Sequence, residues 1–108
     1  MDIKNASDLK EVMKESVRIF SELKGVTEDD LTGPCRKREL SLYRQMIWVQ
    51  MYLHSRYTTT VIGDLFNRTH ATVLYGVKKM KSIIRTPGWQ EENELYNRYC
   101  SMLWAKEE

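Results

Sequence analysis

The chain has 108 residues, 42% of them hydrophobic, which suits one domain with a modest core and excludes a disordered chain. Its net charge of +2 conceals a division: residues 1–35 carry −3, residues 36–85 carry +8 and residues 86–108 carry −3. So basic a middle segment reads as an anion-binding surface, with nucleic acid the leading candidate.

The first predicted helix starts after Ser7 as N-cap and runs to about Lys24, with Gly25 as its stop. Its apolar stripe is Leu9, Val12, Met13, Val17, Phe20 and Leu23. Thr27, followed three residues later by Asp30, opens a short helix over "EDDL", which Gly33 and Pro34 end. "CRKRELSLYRQMIWVQMYLHSRY" follows as the central helix. Leu40, Tyr43, Met46, Ile47, Val49, Met51 and Leu53 make it apolar around much of its circumference, and Trp48 belongs to its core side. "TTT" at 58–60 breaks that helix and caps another, "VIGDLF". Asn67 and Arg68 form a turn, and Thr69 caps a long helix to about Arg85. Pro87 and Gly88 separate it from a last helix over 90–105. There Leu95, Tyr96, Tyr99, Met102 and Leu103 face inward, and Trp89 and Trp104 cover the core or meet a partner. The expectation is a single all-α domain, about six helices in one compact bundle, without repeats or linkers.

Other chemistry finds little support. The longest apolar stretch, "MIWVQMYL", is far too short to cross a bilayer. Asp2 and Lys4 stand where a secretory signal would begin its apolar run, so a cytoplasmic protein is expected. Cys35 and Cys100 form no CxxC pair, and His54 and His70 are badly spaced to complete a zinc site with them. No metal, cofactor or small-molecule substrate is expected. No Ser-His-Asp or Cys-His spacing suggests an enzyme, and Asp29 and Asp30 are neighbours that lie on different sides of a helix.

The informative pair is "TTVIGDLFN" and "THATVLYGVKKMKSII". A short helix, a tight turn and a longer helix opening on small polar residues is a helix-turn-helix pattern. On the second helix Val73, Leu74, Val77, Met80 and Ile84 are expected on one face. Steps of about 100° per residue put Ala71, Thr72, Tyr75, Lys78, Lys79 and Ser82 on the other. Small residues let such a helix approach base edges, and lysines further along reach phosphates. The plainer alternative is a core helix with solvated lysines. Upstream, Arg36, Lys37 and Arg38 follow the Gly-Pro break as a basic arm suited to a minor groove or a phosphate strand.

"RKRELSLYRQM" and "IGDLFNRTHATVLYGVKKM" together resemble the C-terminal DNA-binding domain of the bacterial replication initiator DnaA, over roughly residues 10 to 85. That family has an arginine-rich stretch leading to an "RQ" pair, then "IG..FGGRDHTTVLHA..K", and the spacing from Arg44 to Gly63 fits it without a gap. The resemblance implies an all-α fold with a Trp-repressor-like helix-turn-helix that binds double-stranded DNA. It implies base contacts from Arg36 in the minor groove and from Arg68, Thr69, His70 and Ala71 in the major groove. It implies backbone contacts from Lys37, Arg38, Arg44, Gln45, Thr58, Thr59, Thr72, Lys78 and Lys79, with replication proteins as further partners. Three departures stand out. "FGGRDH" is "FNRTH" here, one residue shorter; Thr69 replaces the signature aspartate; and Ala71 replaces a threonine. No GxxxxGK[ST] is present, so the chain carries no ATPase module. The alternatives are a protein-interaction module that keeps the fold without the DNA site and, less supported, an RNA-binding face.

Overall fold

A computed structural model describes the backbone of residues 6–54 and 57–107 and the side chains of 10–54 and 57–103. The expectations for the Ser7 hydroxyl, Leu9 and Trp104 lie outside the described residues and side chains. The elements are α1 (Ala6–Lys24), α2 (Glu28–Thr32), α3 (Arg38–Leu53), α4 (Thr59–Phe66), α5 (His70–Ile83) and α6 (Gln90–Glu107). No strand occurs among the described residues. The expected all-α bundle is therefore the architecture observed.

Ser7 lies within the described helix α1 (Ala6–Lys24) and is not its cap. Ile19 and Phe20 are fully buried, and the chain leaves the helix through Gly25 at φ +67°. α2 is only five residues long but its ends are well satisfied. Thr27 Oγ1 accepts from the Asp30 amide at 3.0 Å and the Thr27 amide donates to Asp30 Oδ2 at 3.1 Å, a reciprocal capping box. Its one buried residue, Leu31, pins it to the core.

α3 is the central element and packs against α1, α2, α4 and α5. It is shorter than expected at both ends. Cys35, Arg36 and Lys37 stay outside it, and it stops at Leu53. The expected continuation to Tyr57 fails because Tyr57 turns back: its amide donates to Met51 O at 3.0 Å and its ring is buried. Leu53, expected on the apolar surface, is 41% exposed at the end of the helix. Burial around α3 takes in Arg44, Gln45 and Gln50 as well as the apolar residues.

α6 closes the other side by packing on α1. Tyr99 meets Phe20 edge-on with centroids 5.0 Å apart, and Phe20 in turn meets Tyr43 at 5.2 Å. Tyr96, Cys100 and Leu103 complete that layer, and burial raises the Cys100 thiol pKa. Cys35 and Cys100 are both free thiols. No described helix is long and apolar enough to cross a membrane. Among the described residues no three His, Cys, Asp or Glu side chains converge on a metal position.

A candidate nucleic-acid interface

α4 and α5 form a helix-turn-helix whose three connecting residues each have a structural task. Thr58 Oγ1 caps α4 by accepting from the Val61 amide at 3.2 Å. Asn67 ends α4 in the left-handed conformation, at φ 55° and ψ 48°, with its amide returned to Gly63 O. The Arg68 amide also donates to Gly63 O, at 2.8 Å. Thr69 then caps α5, accepting from the Thr72 amide at 3.2 Å and sharing a hydrogen bond with the Thr72 hydroxyl at 2.9 Å. The turn, one residue shorter than the resembled pattern, thus still delivers a capped second helix.

The tight return depends on Gly63. A Cβ there would lie 2.5 Å from Arg68 O and 3.4 Å from the His70 nitrogen. Both atoms are backbone, so the turn itself would have to move. Gly63→Ala is expected to destabilise the domain by about 1–3 kcal/mol despite alanine's better helix propensity, because the overlap outweighs it. Urea denaturation of the two proteins measures this, and equal midpoints would show that the turn yields freely.

On α5 the expected outer face is observed: Ala71, Thr72, Tyr75, Lys78, Lys79 and Ser82 are all exposed, as is His70 at the first helical position. The inner face needs correction. Leu74 is 36% exposed, and the buried arc is Val73, Gly76, Val77, Met80 and Ile83. Gly76 explains the narrow arc. A Cβ on it would come within 2.9 Å of Gln45 Cγ and of the Trp48 ring, so α5 lies close against α3 there, and Leu74 falls outside the contact. Phe66 fixes α4 to the same place, its ring T-shaped on Trp48 with centroids 5.9 Å apart.

Between the loop 33–37, α3 and the turn runs an open cleft of about 800 Å³. Its lining brings together Arg36, Arg44, Gln45, Arg68 and Thr72 of the expected contact residues, with Cys35, Trp48 and Tyr75 beside them. Among the described residues no carboxylate lines it. Arg36 is exposed in the loop, Lys37 is the N-cap of α3 without a side-chain cap bond, and Arg38 is its exposed first residue. Thr59 is half-buried beside the exposed Thr58. Among the described residues the ion pairs involve Arg18 of α1 with Glu15 and Glu22. Arg36, Lys37, Arg38, Lys78 and Lys79 have no carboxylate partner there.

Two arginines differ from expectation. Arg44 is 4% exposed; its Nε donates to Leu31 O at 2.9 Å and its Nη2 to Asp30 O at 2.8 Å. These carbonyls belong to the end of α2, where helical partners run out and negative potential gathers. Arg68 is half-buried and donates from Nη1 to Phe66 O at 2.9 Å and from Nη2 to Gly33 O at 2.6 Å. Burial, with Arg68 nearby, lowers the Arg44 pKa. Gln45 is buried too, with Oε1 lacking a partner, as is Trp48 Nε1. Tyr75, which the helical period puts on the outer face, stands 64% exposed on the cleft rim and joins the candidate site; its sequence signal is an aromatic at a solvent azimuth.

Residues 15–80 match the family model described as Bacterial dnaA protein helix-turn-helix. The chain is similar to the chromosomal replication initiator protein DnaA of Desulfatibacillum aliphaticivorans, 42% identical over 85 residues, covering 76% of this chain and 18% of that protein. It is similar to the DnaA of a Picosynechococcus strain, 35% identical over 69 residues, covering 63% of this chain and 15% of the relative. With the DnaA of a Jannaschia strain the identity is 33% over 102 residues, 90% of this chain and 21% of the other. The chain thus spans about a fifth or less of the length of these relatives.

Proposed function

The chain belongs to the bacterial DnaA helix-turn-helix family, and from that premise we propose that it binds double-stranded DNA sequence-specifically, as a non-catalytic domain, in replication initiation or its control. The observation that carries this is the outer face of α5. Its first turn offers His70, Ala71 and Thr72, all exposed and small enough for base edges to approach, and its later turns offer Lys78 and Lys79 without carboxylate partners. Lys79 lies nine residues beyond His70, about 13 Å along the axis, a reach suited to bases at one end and phosphate at the other.

In this reading α5 enters the major groove with His70, Thr69 and Ala71 at the bases. Arg36 reaches the minor groove from the loop. Lys37, Arg38, Thr58, Thr59, Thr72, Lys78 and Lys79 meet the backbone, with Gln45 at the floor of the cleft. Thr69 offers no carboxylate to accept from a cytosine or adenine amino group, and its hydroxyl already accepts from the Thr72 amide, so the preferred sequence is expected to differ from one read by an acid. Replication proteins are proposed as partners, and the cytoplasm, on the nucleoid, as the location.

The test is selection of bound sequences from a random duplex pool at a stated salt concentration. His70→Ala is expected to lose about 1–3 kcal/mol of discrimination at one or two base positions while keeping its affinity for random duplex. An unchanged selected sequence would remove His70 from base reading. A wild-type protein that selects nothing and binds every duplex weakly would remove the DNA function. The second reading, a protein-interaction module, is motivated by the short turn. It requires capture of a replication protein to proceed equally well after a double change, His70→Ala with Lys79→Glu.

A further inference from the structure

The loop 33–37 carries Arg36, yet its own backbone does little to fix it. Gly33 still donates to Asp29 O at 2.7 Å, but among the described residues no backbone–backbone hydrogen bond engages Cys35 or Arg36. What holds the loop's start is Arg68. Its guanidinium spans two elements, with Nη1 on Phe66 O at the end of α4 and Nη2 on Gly33 O, 35 positions away in sequence. Arg44 secures the segment just before it, through Asp30 O and Leu31 O. Three carbonyls, at 30, 31 and 33, are therefore caught by two guanidiniums, one from the central helix and one from the turn. A planar fork suits this, because both ends of a guanidinium donate at once in fixed directions.

We propose that Arg68 is a positioning residue: it clasps the arm that carries Arg36 to the helix-turn-helix, so that the arm reads DNA in a register set by α5. This inference rests on the DNA-binding reading above. It replaces the expectation that Arg68 itself touches bases, since two of its donor nitrogens are committed to carbonyls. It also gives the turn a second task. The turn that aims α5 also holds the arm, through Arg68, so contacts made by the arm and by α5 shift together.

The variants are Arg68→Lys, Arg68→Ala, Arg36→Ala and the double change of Arg36 and Arg68 to alanine. Each is taken through selection from a random duplex pool, a salt titration and a thermal melt. Arg68→Lys keeps the charge and loses the fork. It should leave the salt dependence as in the wild type, yet flatten base preference at the positions that Arg36→Ala flattens. Those that His70→Ala flattens should stay sharp. Affinity for the selected sequence should fall about tenfold, and the double variant should bind no worse than Arg36→Ala alone. Four results would overturn the proposal. Arg68→Lys equal to wild type, with Arg68→Ala flattening the His70 positions, would make Arg68 a direct contact. Equal flattening at every position with a matching fall in melting temperature would make it a fold residue. Additive effects of Arg36 and Arg68 would leave the two uncoupled. An Arg36→Ala variant that flattens nothing would leave no arm register to set. A wild-type protein that binds no duplex would instead remove the function on which the proposal stands, and that is measured first.

Discussion

Replacing Arg44 by alanine is expected to cost the fold about 2–4 kcal/mol, more than it costs any DNA contact directly. The change strips partners from Leu31 O and Asp30 O. A buried group left without its partner costs about 1–3 kcal/mol. Against this, the protein is freed of burying a guanidinium close to a second one, the cause of the lowered Arg44 pKa. At about 4–8 °C per kcal/mol for a domain of this size, the melting temperature should fall on the order of 10–30 °C. Arg44→Lys separates the two roles. It keeps the charge but cannot bridge two carbonyls along a rigid fork, so it should melt early as well. If both variants melted like the wild type and lost affinity for every duplex alike, Arg44 would be the phosphate contact that its position in the sequence suggests.

The second large effect is the response to salt. Of the seven cationic side chains expected at the DNA, Arg44 and Arg68 have donors engaged with carbonyls. Five are left: Arg36, Lys37, Arg38, Lys78 and Lys79. With a slope of about −0.9 per phosphate contact on a double-logarithmic plot, five contacts give about −4.5. Raising salt from about 50 to about 200 mM should then weaken duplex binding roughly 500-fold. Lys79→Gln should lower that slope by about one and weaken binding to all sequences evenly. A slope near zero in the wild type would mean that these side chains do not displace counterions from DNA.

Caps and helix faces were legible in the sequence because they are local. Thr27 with Asp30, Thr58 and Thr69 all cap as their spacing implies, since an N-cap needs only a short side chain and an amide two or three residues on. The outer face of α5 was legible because an exposed stripe follows from the helical period alone. The inner face was not wholly so. Whether Leu74 is buried depends on how closely α5 approaches α3, which Gly76 and the Trp48 ring decide from two distant parts of the chain. The arginines were the least legible. A guanidinium on an apolar central helix looks the same whether it faces a phosphate or the orphan carbonyls of a neighbouring short helix. Only the folding of α2 against α3 distinguishes these, and α2 ends 12 residues before Arg44. The burial of Gln45 and Gln50 was not legible for the same reason, since α3 is enclosed on nearly every side.

The connection between α4 and α5 reverses the usual expectation about tolerance to change. Loops are where sequences drift and insertions settle, because their side chains face water and their backbones are free. Here Asn67 takes a backbone shape few residues accept, Arg68 spans to Gly33, and Thr69 closes the first turn of α5. A library randomised at these three positions should therefore return fewer functional members than one randomised at Tyr75, Lys78 and Ser82, although the latter lie on the surface that we propose faces DNA. In the proposed reading, variation that retargets the protein falls on the helix face and at Thr69, and Asn67 and Arg68 are the positions least able to evolve.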